Sequence, residues 1–316
     1  MSNLENINKE IEGLEKNLED LKNIANSDQL NIEDVNEIQD KINNLKKQAY
    51  SKMTPWDKVN LARNPQRPTA LDYIERIFDE FIELHGDRLS KDDKATVCGL
   101  AKIGNQKFTI VAQQKGRNTK ENIERNFGMP NPESYRKGIR IMKQAEKFNR
   151  PIITFVDTKG AYPGIEAEER GQGEAIARSM LEMCRLKVPI IVIVIGEGSS
   201  GGALAISVGD KILMLENAVY SILSPEGYAS ILWKDGTKAK EAAEVMKLTA
   251  EDLYNFDIVD SIIKEPVGGA SKDIDQVSES IKNEILKQLK ELKKLNENDL
   301  VEKRYQKFRK IGEYIK

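Results

Sequence analysis

The chain has 316 residues, 49 of them Lys or Arg and 51 Asp or Glu, for a net charge of −2. That balance excludes the basic excess of a nucleic-acid binder, and no apolar run reaches the roughly 18 residues that cross a bilayer. One histidine, His85, and two distant cysteines, Cys98 and Cys184, leave no Cys/His zinc site in the chain. The first residues are polar and acidic and carry no secretory signal, so a cytoplasmic protein is expected. Both cysteines lie in apolar contexts and are expected as buried free thiols.

Leu4, Ile7, Ile11, Leu14, Leu18 and Leu21 recur at spacings of three and four, and Val35, Ile38, Ile42 and Leu45 form a second, shorter seam. The polar break Asn26-Ser-Asp28 between them predicts a helical hairpin within residues 1–53. Prolines at 55, 65 and 68 mark the passage into a main domain, 54–270. There a helix is expected from Leu71 to Leu84, then strands Thr96–Ile103 and Lys107–Gln113 about a Gly104-Asn105 turn. A helix from Ser134 to Asn149, a strand Pro151–Asp157, a helix near Gly171–Leu186 and a strand Val188–Ile195 follow, with short strands at Lys211–Leu215 and Ala218–Ile222. Ser224-Pro-Glu-Gly227 reads as a helix start. The tail, 271–316, is charged and helical, with Ile281, Ile285, Leu289 and Leu292 on one stripe. Alternating strands and helices mean an α/β fold.

Two strand ends run into glycine turns. After Ile152–Asp157 comes Thr158-Lys-Gly-Ala-Tyr-Pro-Gly164, and after Val188–Ile195 comes Gly196-Glu-Gly-Ser-Ser-Gly-Gly-Ala-Leu-Ala205, opening a helix expected from Ala203 to Val208. Glycine lets the backbone turn sharply and bare its N–H groups. A helix start adds unpaired N–H groups and partial positive charge, which together suit a developing oxyanion.

Other readings compete. Gly198-Ser199-Ser200-Gly201-Gly202 is literally G-x-S-x-G between strand and helix, the setting of a hydrolase nucleophile; its histidine would have to be His85, which precedes the serine where α/β-hydrolases place it after. Glu166, Glu168 and Glu169 are either an acid–base set for a hydratase or favourable charge at a helix start. Lys115, Arg117, Lys120 and Arg125 form a basic cluster that fits an anion, a partner surface or a solvated loop. No Walker-type G-x-x-x-x-G-K-[ST] occurs.

In Asp157–Gly164, Ala167–Gln172 and Gly196–Ala205, and further in His85–Arg88, Gln114–Arg117, Arg125–Pro130, Ser224–Gly227 and Ser230–Lys234, the chain resembles the alpha subunit of bacterial acetyl-CoA carboxylase carboxyltransferase. The likeness keeps its order over nearly the whole length. It implies a crotonase-like spiral of strand–strand–helix units, and transfer of a carboxyl group from carboxybiotin, borne on the biotin carboxyl carrier protein, to acetyl-CoA, giving malonyl-CoA for fatty-acid biosynthesis. It implies an α₂β₂ assembly with a beta subunit that carries any zinc and most of the CoA site, and a separate biotin carboxylase. Biotin is then not attached to this chain. On this resemblance the N–H groups of Gly201 and Gly202, with Ala203 as the nearest substitute, are the oxyanion donors. From the pairing of the two glycine turns, Gly160 and Ala161 are expected to shape the opposite wall, with Gly198 as a further site residue, and the matching text favours Lys115 and Arg117 meeting an anion or the partner as much as a solvated loop. Two positions depart from the pattern: Ser199 replaces the usual glycine and Lys159 a frequent proline. The rival expectations are a stand-alone hydratase or serine hydrolase, and a non-catalytic assembly subunit built on the N-terminal helices.

Overall fold

A computed structural model describes residues 13–14, 16–20 and 32–312. Its centre is an eight-stranded mixed sheet. Strand β1 (Glu80–Glu83) pairs antiparallel with β2 (Thr96–Ile103), and β2 with β3 (Gln106–Gln113). From β3 onward β4 (Ile152–Thr158), β5 (Ile190–Ser199), β6 (Lys211–Leu215) and β8 (Ser261–Ile263) run parallel in that order, with β7 (Val219–Ser221) joined to the far end of β5. Strands β4 and β5 are buried along their entire length, as expected of parallel strands covered on both faces. Their continuous Ile/Val runs supply the core, and Ile281, Ile285, Leu289 and Leu292 of the tail helix Ile274–Leu292 belong to the same core. The β2–β3 hairpin closes on Gly104-Asn105 as expected, with Ile103 opposite Gln106 and Gly104 at φ +55°.

At the N-terminus Leu14 and Leu18 pack with Ile38, Ile42 and Leu45 in a cluster of their own, the last three on helix Ile32–Ser51. The remaining seam residues Leu4, Ile7, Ile11 and Leu21, the side chain of Val35 and the Asn26–Asp28 break lie outside the described residues.

Three expectations need correction. The helix expected from Leu71 to Leu84 is Ala70–Ile77 only; Phe78 is extended, and the rest forms the edge strand β1 against β2. Pairing the open edge of β2 outweighs continuing an apolar spacing that helix and strand share over so short a stretch. The strand ending at Ile195 continues to Ser199, because β7 pairs with Glu197, Gly198 and Ser199. The following helix accordingly starts earlier, at Ser200–Leu204, rather than at Ala203. Finally, Cys98 is a buried free thiol but Cys184 is exposed; it lies beside Met183, which takes the buried face of its helix, Gln172–Arg185.

Candidate active site

Toward their C-terminal ends the regular pairing of β3, β4 and β5 is interrupted, and side chains supply hydrogen bonds there. The β3–β4 register ends at Ala112 and Phe155. Beyond it the Gln113 side-chain oxygen accepts the Asp157 N–H at 3.1 Å. Between β4 and β5 the register shifts past Val156, and the Asp157 carboxylate accepts the Glu197 N–H at 2.9 Å. Gly196 is required beneath it: a Cβ there would lie 2.3 Å from Asp157 Oδ1. Lys115 completes the set, its Nζ 2.5 Å from the same oxygen. Gln113 and Asp157 are 1% and 4% exposed, so these are interior bonds, worth more than their surface equivalents.

The turn after β4 is held by side chains. Thr158 Oγ1 donates to Gly128 O at 2.6 Å and accepts the Gly160 N–H at 3.1 Å. Gly160 has φ +142°, a conformation that side chains resist. Farther on, Gln172 Nε2 donates to Tyr162 O and Pro130 O, each at 2.9 Å. Ala161 and Ile176 pack with Tyr135, Ala175 and Ala205.

The turn after β5 depends on missing side chains. Ser200 takes φ +60°, and the short helix Ser200–Leu204 begins there. Ser199, the residue before it, is 1% exposed and makes no capping bond, so no side chain of that residue satisfies the helix's leading N–H groups. A Cβ on Gly202 would stand 2.4 Å from Ala161 N and 2.5 Å from Gly160 C. The two glycine turns are therefore in backbone contact. Gln113 binds them from behind, donating from Nε2 to Gly202 O at 2.7 Å. In front, a cavity of about 630 Å³ reaches Ser200, Gly201 and Leu204 and is walled by Tyr220, Tyr228 and Phe308.

The structure brings some expected residues together and separates others. Gly160, Ala161, Gly201 and Gly202 meet; Gly201 is half-buried at the cavity, while Gly202 and Ala203 are buried. Gly198 packs beneath Tyr220 and Val156, where a Cβ would come within 2.9 Å and 3.2 Å. The basic cluster divides. Lys115 turns inward to Asp157, Arg117 pairs with Asp72 on the surface, and Arg125 donates to Lys94 O. Glu166, Glu168 and Glu169 are exposed on the short helix Ile165–Glu169. His85 is 62% exposed and held by Asp92 at 3.1 Å; it follows β1, four strands across the sheet from β5, so Ser200 has no histidine base.

Sequence reasoning missed Gln113, and it missed Arg63. Arg63 makes a two-pronged pair with Glu197 at 3.1 and 2.7 Å and reaches Glu226 at 2.7 Å. Burial works against the Arg63 charge, but the bonds and charges of both glutamates outweigh it and raise its pKa. Glu226 lies in the first turn of the helix Pro225–Trp233, which starts where expected and is capped by Ser224. The pair thus ties that helix to the end of β5. Among the described residues no group of three or more His, Cys, Asp or Glu could hold a metal, and no helix is long and apolar enough to cross a membrane.

Residues 4–312 match the model of the acetyl co-enzyme A carboxylase carboxyltransferase-like family. The acetyl-coenzyme A carboxylase carboxyl transferase subunit alpha of Halalkalibacterium halodurans is 52% identical over 307 residues, 97% of this chain and 94% of that protein. The acetyl-coenzyme A carboxylase carboxyl transferase subunits beta/alpha of Clostridium tetani is 59% identical over 274 residues, 87% of this chain but 47% of that longer protein. Among solved structures, the transcarboxylase 12S core, with methylmalonyl-coenzyme A and methylmalonic acid bound, aligns at a TM-score of 0.55 and 19% identity, over 69% of this chain and 43% of that one. That likeness is one of fold, and it agrees with the expected crotonase-like α/β architecture.

Proposed function

The chain belongs to the acetyl co-enzyme A carboxylase carboxyltransferase-like family, and from that premise we propose that it supplies the biotin-facing half of a site that moves a carboxyl group to acetyl-CoA, giving malonyl-CoA. Carboxybiotin, brought by a carrier protein, is the donor and supplies the carboxyl group. This chain's part is electrostatic. The N–H groups of Gly201 and Gly202, with Ala203 next in line, stabilise negative charge building on the donor's ureido oxygen; losing one such donor typically costs about 10²–10³ in rate. Gly160 and Ala161 form the facing wall and fix the spacing of the turn.

The observation that carries this reading is the backbone contact of Gly202 with Gly160 and Ala161, which places an uncapped helix start at the mouth of a largely apolar cavity. A cavity apolar on most of its walls that reaches Ser200 and Gly201 at the start of that helix suits a fused-ring urea with an alkyl chain. The second oxyanion hole, for the thioester enolate, and any zinc belong to a beta partner; the fused beta/alpha relative supports such a partner. ATP-dependent carboxylation of biotin belongs to a separate component. The hydratase and hydrolase readings have less support, because Glu168 and Glu169 are exposed and Ser200 lacks a histidine.

The test is malonyl-CoA formation from acetyl-CoA and carboxybiotin by the chain alone and mixed with its beta partner. Turnover in the mixture only is the expected result. Turnover by the chain alone would sink the split site, and none in a properly assembled mixture would return the assembly-subunit reading.

A further inference from the structure

We propose that Gln113 is a positioning residue for transfer, one that aims and polarises the donor turn although its side chain is aimed at backbone groups. The proposal rests on reading Gly201–Ala203 as the oxyanion turn. Gln113 is the last residue of β3 and is 1% exposed. Its amide satisfies two backbone groups from different strand-end turns: Nε2 donates to Gly202 O at 2.7 Å and Oε1 accepts from Asp157 N at 3.1 Å. Both bonds require the same orientation of the amide, so neither can be gained by flipping it.

Two consequences follow from the peptide unit involved. The carbonyl of Gly202 and the N–H of Ala203 belong to one amide plane. A hydrogen bond to that carbonyl draws charge through the amide and makes the N–H at its other end a stronger donor, and low polarity around it enlarges the effect. The same bond fixes the rotation of the first turn of Ser200–Leu204 relative to β4, because Asp157 is held by the other end of the same side chain and in turn holds Glu197 N. Gly202 has no side chain of its own to set that rotation. Even a Cβ built there would come within 2.4 Å of Ala161 N and 2.5 Å of Gly160 C, so the turn has little room to rotate toward the neighbouring strand end. Gln113 thus sets how the donors face the cavity, while the cavity's walls set what enters it.

Substitution can separate the two bonds. Gln113→Glu keeps an acceptor for Asp157 N but points an anionic oxygen at Gly202 O. Gln113→Met keeps the length and loses both bonds. Each chain is assembled with its beta partner and checked for complex size and thermal midpoint. Carboxyl transfer is then followed from malonyl-CoA to free biotin. The expected result is a kcat lowered about 10- to 10²-fold in both variants, with the Glu variant the lower. The KM for malonyl-CoA should stay within about twofold, since that substrate is held elsewhere. An assembled Gln113→Glu complex with wild-type kcat, or a loss confined to KM, overturns the proposal; if that variant does not assemble, the same criterion applies to Gln113→Met. A parallel Gly201→Pro complex distinguishes the levels. Loss there with none at Gln113 removes only the positioning role, whereas full turnover there removes the donor reading and this inference with it.

Discussion

The two strand-end turns solve one problem in opposite ways. The turn after β4 is built from side chains: Thr158 ties its backbone to Gly128, Gln172 ties it to Pro130, and Asp157 with Lys115 anchors its root. The turn after β5 is built from their absence: Gly202 fits against Ala161 only because it has no Cβ. The first is a scaffold, stiff and tolerant of what faces it. The second brings Ser200 and Gly201 to the cavity. On the proposed reading, the lesson is that a site working through N–H groups needs a neighbour whose side chains do the holding.

Substitutions at the two turns should therefore fail differently. The largest effect is expected at Gly202. Gly202→Val drives side-chain carbons into Ala161 N and Gly160 C, forcing the turns apart; turnover should fall by more than about 10² while stability falls by about 1–3 kcal/mol. Kinetics beside a denaturant titration of the same complex measures both, and a folded valine variant with normal turnover would erase the distinction between the turns.

Next comes the root of the scaffold. Lys115→Met leaves the buried Asp157 carboxylate without its cation and should cost about 3 kcal/mol. Adding Asp157→Asn should recover part of that loss, which a double-mutant cycle reads directly. Simple additivity would mean that the pair does not anchor the turn. The smallest effect of the series is Thr158→Val, nearly isosteric, which leaves the Gly160 N–H and Gly128 O without the hydroxyl at a cost of about 1–3 kcal/mol. Its turnover should drop far less than that of Gly202→Val; a larger drop would put the turn after β4 in the chemistry itself.

The contrast also explains what could be read in the sequence. Strands β2 to β6 announce themselves by apolar runs, and both glycine turns by composition. The helix start at Ser224-Pro225 and the Ile281–Leu292 stripe follow from local sequence in the same way. What escaped is held by long-range bonds. Gln113 meets partners 44 and 89 positions away, and Arg63 meets Glu197 across 134. A polar residue directly after an apolar stretch of strand, as Gln113 follows Ile110–Ala112 and Asp157 follows Phe155-Val156, was the available signal. The basic cluster misleads for the same reason: Lys115 and Arg117 are two residues apart, yet one turns to a buried carboxylate and the other to the surface. At Leu71–Leu84 the spacing fits helix and strand alike, and only the open edge of β2 decides. The extension of β5 through Gly196 and Gly198 depends on β7, twenty residues on, which no local pattern reveals.

The central claim is that backbone N–H groups, and no side chain, do the chemistry at the turn after β5. Comparing Gly201→Ala with Gly201→Pro in the assembled enzyme tests it most directly. The alanine methyl would sit 3.5 Å from Ile176, ordinary contact, and keeps the N–H. Proline is tolerated in a helix's first turn but has no N–H to give. With both complexes shown to be folded, the alanine variant should lose only a few-fold, and the proline variant about 10²–10³ in kcat. Equal turnover in the two would contradict the account.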